Sequence, residues 1–189
     1  PDPLQDTDMR TRLPLLLPAL GAPLFAQALQ VPTDIQQFSG DVAANVATKV
    51  KGANIQFNPQ ISDVPVEMPI DADLLRTALY NIIDNAVEAC IESPAPDQHR
   101  IDFLAEVHPD RIAFIIEDTG GGMSPEKAKT VFDLFSSTKG RQGTGIGLYV
   151  TRKIVQKHGG TVAVNSRPGE GSRFEIELPR HNGAPTQGK

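Results

Sequence analysis

A chain of 189 residues has room for one domain with a real core and a modest extension. A formal net charge of -5 leaves no basic footprint for nucleic acid. One cysteine rules out an intramolecular disulfide framework and a cysteine-based metal finger.

Residues 1–32 are proline-rich with little periodicity and read as a linker or the remnant of a preceding helical domain. Met9-Arg10-Thr11-Arg12 followed by Leu13–Leu20 superficially resembles a secretion signal. Prolines 14, 18 and 23 interrupt it, and the run is too short to span a bilayer, so a cytoplasmic location is expected. From Thr33, the residues Ile35, Phe38, Val42, Val46 and Val50 recur at helical spacing, and Gly52 ends the run. Ala53–Phe57 reads as a short strand, and prolines 59, 65 and 69 mark irregular chain.

Asp71 can cap a stronger helix from about Ala72 to Ile91, with Leu75, Leu79, Ile82, Ala86 and Ala89 as its buried stripe. Asn81, Asn85 and Glu88 stack on another face. Asparagine is a poor helix former, so Asn81 and Asn85 point to function, whereas Glu88 is expected to be solvated. After a loop at Ser93–Gln98, Arg100–Val107 and Arg111–Glu117 alternate apolar and polar around Pro109-Asp110, a hairpin that delivers Asp118 to a glycine cluster. Ser124-Pro125 opens a short helix. Another helix starts near Gly145 and ends at His158-Gly159-Gly160. Thr161–Asn165 and Ser172–Leu178 form the closing hairpin, with Phe174, Ile176 and Leu178 facing the core, and residues 180–189 read as a disordered tail.

The two glycine clusters carry the chemistry. Asp118 can accept a hydrogen bond from an exocyclic amino group such as adenine's, or can simply cap its turn. The Asn85 amide oxygen suits Mg²⁺, a hard cation that keeps several waters and shares phosphate oxygens. Gly143, Gly145 and Gly147 open a helix whose N–H groups can meet phosphates, with Lys139 and Arg141 just before them to offset triphosphate charge. Phe132 and Phe135 read as core residues anchoring a short lid, Ser136 to Gln142. There is no phosphate loop of the G-x-x-x-x-G-K-[ST] type, no protein-kinase H-R-D set and no nucleophile elbow at Cys90 or any serine.

In order and spacing, N-I-I-D-N-A (from Asn81), E-D-T-G-G-G-M (from Glu117), V-F-D-L-F (from Val131) and G-T-G-I-G-L-Y-V (from Gly143) resemble the catalytic ATP-binding domain of sensor histidine kinases. That domain belongs to the GHKL superfamily with gyrase, heat-shock chaperone and mismatch-repair ATPases. The resemblance covers about Thr33 to Pro179, and the S-S-T-K-G lid is similar to that of nitrogen-regulation and dicarboxylate-sensing kinases. Asp133-Leu134 and Ser136 depart from the commoner Glu-Pro and aromatic of the third box.

The resemblance implies a two-layer α/β (α+β) sandwich, a mixed, mostly antiparallel sheet packed on about three helices, in a catalytic domain over residues 33–179. It implies ATP with Mg²⁺, the metal on Asn85, and Asn81, Asn85 and Lys139 at the chemistry. Nucleotide contacts are implied at Asn85, Asp118, Gly120, Gly122, Met123, Phe135, Thr138, Lys139, Gly143, Thr144, Gly145, Ile146, Gly147 and Leu148. Hydrolysing members carry a Glu one turn before the metal-binding Asn. Here Asn81 stands there, and an amide cannot act as a general base, which favours transfer to an imidazole. His99, in a loop, and His108, His158 and His181 all lack the setting of a phosphoacceptor, so the acceptor is expected on a separate dimerisation domain, with a response regulator downstream and no nucleic-acid or membrane contact. A monomer is expected. A hydrolysing ATPase and a degenerate nucleotide-binding module remain the alternatives.

Overall fold

The structure is a computed structural model that describes residues 30–53, 55–94, 98–135 and 145–180. The chain opens with β1 (Val31–Asp34) and α1 (Ile35–Lys49), then β2 (Ile55–Ile61), β3 (Glu67–Ile70) and α2 (Ala72–Glu92). The hairpin β4 (His99–Val107) and β5 (Arg111–Asp118) follows, then α3 (Pro125–Thr130), α4 (Gly147–Lys157) and the closing hairpin β6 (Thr161–Arg167) and β7 (Gly171–Pro179).

Helix starts follow local chemistry. Asp34, Asp71 and Ser124 each accept a hydrogen bond from the backbone N–H three residues on and so cap α1, α2 and α3, with Pro125 in the first turn of α3. The main sheet has the order β2-β4-β5-β7-β6. Every neighbouring pair is antiparallel except β2 with β4, so the sheet is mixed and mostly antiparallel, as expected. The register Asp118↔Ile101 and Asp118↔Ser172 places Asp118 between two strands at one end of the sheet.

Period-2 alternation sends Ile112, Phe114 and Ile116 of β5 into the core beside Leu75, Leu79, Ile82 and Ile83 of α2. Phe38 of α1 meets Phe114 edge-on, ring centroids 6.1 Å apart. The other sheet face carries ion pairs, among them Arg173 with Glu117 at 2.7 Å and Arg111 with Glu177 at 2.8 Å.

Several local expectations change. Val31–Asp34, assigned by sequence to the connector and a helix start, pairs with β3 instead. Pro59 and Pro69 lie inside strands rather than in irregular chain. Pro59 sits on an edge strand, where a missing N–H is tolerated, and Pro32 faces Pro69 directly, a pairing that asks no N–H of either. His99 is not in a loop: it begins β4 and is buried. Phe132 is buried against Phe174 as expected. Phe135 is not core: it is 70% exposed, with a left-handed backbone at φ 62°. The lid Ser136–Gln142, the leading segment 1–29 and the tail from 181 lie outside the described residues.

Phe114→Ala would remove a fully buried ring and its edge contact with Phe38. Urea denaturation should show a loss of about 3–5 kcal/mol; a loss below about 1 kcal/mol would contradict this packing.

Candidate functional site

Three stretches converge along one face of α2. Asn81, Asn85 and Ala89 lie four residues apart, so they form a row down the helix about 12 Å long. At one end, the Asn81 Nδ2 donates to the carbonyl of Gly147, the first residue of α4, at 3.1 Å. At the other end, the glycine loop after β5 presses on Ala89: a Cβ built on Gly120 would lie 2.6 Å from the Ala89 carbonyl carbon. Asn85 stands between them. Its Nδ2 donates to the Asn81 carbonyl at 2.7 Å, which leaves Oδ1 without a hydrogen bond among the described residues.

Helix α4 runs antiparallel to α2. Near its end, His158 Nε2 accepts from the Asp71 N–H at 3.0 Å while Nδ1 donates to the Ile154 carbonyl at 2.8 Å. Unlike the other three helices, α4 begins without a side-chain cap, because Ile146 has no group to offer. Among the described residues no side chain caps its first-turn N–H groups, which suit an external acceptor.

Asp118 closes the other end. The residue is 6% exposed, and Oδ1 accepts from the Gly120 N–H at 2.8 Å. Burial pushes its carboxyl up to about 6, against the lowering effect of hydrogen bonds from Gly120 and Ser172 and of nearby His99. Ser172 in turn lies 3.0 Å from Ser166, whose hydroxyl accepts from the Met123 N–H and donates to the Gly171 carbonyl. A chain of hydroxyls thus joins the carboxylate to the far side of the glycine loop. Cys90 lies under the same pocket, its thiol pushed up to about 11, first by burial and then by Asp118, so it stays neutral and inert.

Gly120 and Gly122 are required by backbone packing. Gly120 allows the loop to touch the α2 backbone, and Gly122, at φ 63°, would drive a Cβ to within 1.9 Å of the Arg167 carbonyl. Gly121, between them, faces open space.

Of the sequence-predicted residues, the structure joins Asn81 to Gly147, Asn85 to Asn81, and Asp118 to Gly120. Met123 and Leu148 are partly buried against the core, whereas Ile146 and Phe135 are exposed. Gly145 has a left-handed backbone just before α4. Thr138, Lys139, Arg141, Gly143 and Thr144 lie outside the described residues. Thr151, Ser166 and Ser172 were not singled out from sequence. A hydroxyl in the apolar stripe of α4 and two serines flanking the last turn were the available signals.

A cleft of about 300 Å³ at the same end of the sheet involves Arg100, Arg167 and Arg173. Each already pairs with an acid (Asp102 at 2.7 Å, Glu170 at 3.5 Å and Glu117 at 2.7 Å), so the cleft has no surplus charge for a triphosphate.

The family described as histidine kinase-, DNA gyrase B- and HSP90-like ATPases matches residues 70–182. Sensor protein SrrB of Staphylococcus aureus is 29% identical over 170 residues, covering 82% of this chain and 27% of SrrB. The chain therefore spans about a quarter of the length of that relative. Among solved structures, a mycobacterial sensor histidine kinase, MprB, superposes with a TM-score of 0.65 at 25% identity, covering 79% of this chain and 97% of that one. Full-length ShkA in complex with AMPPNP superposes with a TM-score of 0.70 at 26% identity, covering 87% of this chain and 34% of ShkA.

Two predictions follow from the packing and the charge. Gly120→Ala must push the loop off α2 and should lower stability by more than about 2 kcal/mol, while Gly121→Ala should stay within about 1 kcal/mol of wild type in the same denaturation series. Asp118 favours its protonated form in the fold, so its contribution to stability is complete below the unfolded value of about 4 and is lost as pH rises to about 6. The unfolding free energy of wild type minus that of Asp118→Asn should therefore fall by up to about 3 kcal/mol between pH 4 and 6.5. A flat difference would show that the carboxyl titrates normally.

Proposed function

Because the chain belongs to the histidine kinase-, DNA gyrase B- and HSP90-like ATPase family, we propose that it binds Mg²⁺–ATP and transfers the γ-phosphoryl group to a histidine on a separate helical domain. The single observation that carries this is the row on α2. The α4 helix start stands at Asn81, an amide oxygen without a hydrogen bond among the described residues at Asn85, and a buried carboxylate beyond Ala89, at the far end of a row of about 12 Å. AMPPNP in the similar ShkA structure supports the same ligand class here.

In this reading the ionised Asp118 carboxylate, held against burial, takes the exocyclic amino group of adenine and selects it over guanine, which presents a carbonyl oxygen there. The first-turn N–H groups of α4 hold phosphate oxygens. Asn85 Oδ1 is the protein oxygen for Mg²⁺, a neutral hard donor that fits the metal's preference for a few protein ligands among waters and phosphates. The bound metal supplies charge neutralisation at the phosphates. Lys139 adds positive charge from the lid.

Position 81 bears an amide already engaged with Gly147, and the neighbouring Asp84 is paired with Lys49 of α1. Neither is placed to deprotonate a water, which supports transfer to an imidazole, a nucleophile that needs orientation more than activation. As that nitrogen bonds to phosphorus, the bond to the bridging oxygen breaks and ADP leaves.

The described histidines do not offer the acceptor. His99 and His158 are buried with both ring nitrogens facing backbone partners, and His108 pairs with Glu106. Partners are then a histidine-bearing dimerisation domain and a downstream response regulator, with a cytoplasmic setting. Among the described residues no helix is long and apolar enough to cross a membrane. The motif S-S-T-K-G supports a likeness to the nitrogen-regulation and dicarboxylate-sensing kinases.

Thermal unfolding with Mg²⁺–ADP, Mg²⁺–ATP and Mg²⁺–GTP tests the pocket. Adenine nucleotides at a hundredfold over Kd should stabilise by about 2.7 kcal/mol, GTP should not, and Asp118→Asn should lose the effect. With γ-³²P-ATP the chain alone should remain unlabelled. Label on the chain would place the acceptor within it, and rapid steady-state release of phosphate would favour the hydrolysing ATPase.

A further inference from the structure

Thr151 is fully buried on α4, in a position where valine would fill the same volume. Its hydroxyl hydrogen is shared between the carbonyl of Ala78 on α2, at 3.3 Å, and that of Gly147 in its own helix, at 3.1 Å. The same oxygen accepts from Asn81 Nδ2 at 3.4 Å, and that amide also donates to the Gly147 carbonyl. Groups from two helices therefore converge on the peptide that opens α4. A threonine bonded back to the carbonyl four residues earlier slightly weakens and bends a helix. As a filler it is inferior to valine; as a brace between the first turn of α4 and α2 it does what valine cannot.

We infer that Thr151 is a positioning residue for phosphate binding: through Gly147 and Asn81 it holds the first turn of α4 in fixed relation to Asn85. The inference rests on the ATP-binding function proposed above. Thr151 itself touches no ligand. The base end of the pocket, built from Asp118, Gly120 and Ala89, does not depend on it. Loosening the brace should therefore weaken a nucleotide in proportion to the phosphates it presents to α4, and leave the nucleoside alone.

The experiment is titration calorimetry of adenosine, ADP and ATP, with Mg²⁺, onto the full chain as wild type, Thr151→Val and Thr151→Ser. Thr151→Val should bind ADP and ATP about tenfold more weakly and adenosine within about twofold of wild type. Thr151→Ser, which keeps the hydroxyl, should restore all three affinities to within about twofold. An equal loss for adenosine and ATP would assign Thr151 to folding alone and overturn the inference, as would unchanged ATP affinity in Thr151→Val. Should Thr151→Val not fold, the ratio of ATP to adenosine affinity in Thr151→Ala decides in the same way. A wild-type chain that binds none of the three ligands is a separate failure: it removes the ATP-binding function and the inference with it.

Discussion

The antiparallel contact between α2 and α4 is the constraint on which the candidate site depends. It is stapled at both ends and in the middle: Asp71 to His158, Ala78 to Thr151, and Asn81 to Gly147. Apolar packing alone would let two helices slide by part of a turn at little cost. Directional hydrogen bonds to buried carbonyls do not, because any shift leaves a polar group unsatisfied at a cost of about 1–3 kcal/mol. Lys157 adds a looser tie, 3.8 Å from the Asp71 carboxylate. The start of α4 is therefore held at a set height along α2.

At the other end the constraint is steric and electrostatic. The glycine loop lies so close to Ala89 and Arg167 that side chains at 120 and 122 would strike backbone. That close approach also buries Asp118. A carboxylate in this position is a burden on the fold, because burial disfavours its charged form; under the proposed function a ligand amino group would offset that burden. The hydroxyl chain through Ser172 and Ser166 limits the burden and ties the carboxylate to the loop's far strand. Under the proposed function, stability and recognition pull in opposite directions at this residue.

Much of this was legible in the sequence. Heptad-like spacing from Ile35 to Val50 and from Leu75 to Ala86 marked the two large helices, since a buried helical face needs apolar residues every three to four positions. Pro109-Asp110 marked the β4–β5 hairpin, and Ser124-Pro125 the start of α3. Where the reading missed, partners distant along the chain decided the outcome. Pro59 and Pro69 were compatible with strands because those strands are an edge and a two-stranded ribbon, which no local pattern announces. His99 looked like loop because its neighbours are polar, yet its ring lies 3.2 Å from the Thr119 carbonyl, twenty residues on, and 3.3 Å from that of Ser93. Phe135 looked like core from its spacing to Phe132, but a left-handed backbone turns it outward.

By itself, the sequence determined which chemical groups are present and which elements carry them: amides at 81 and 85 on one helix face, a carboxylate ending a strand, and glycines opening a helix. These follow from residue identity and local periodicity. Tertiary structure alone decided what each group is free to do. Asn81 gives its amide nitrogen to a carbonyl 66 positions away and Asn85 gives its own to the Asn81 carbonyl, so among the described residues their amide oxygens are the groups left without a hydrogen bond. Gly120 and Gly122 serve backbone contacts with α2 and β6, and Thr151 becomes the brace between helices. Hydrogen bonds and close contacts between remote segments exist only once the chain has folded, and no pattern read along it reports which donor meets which acceptor.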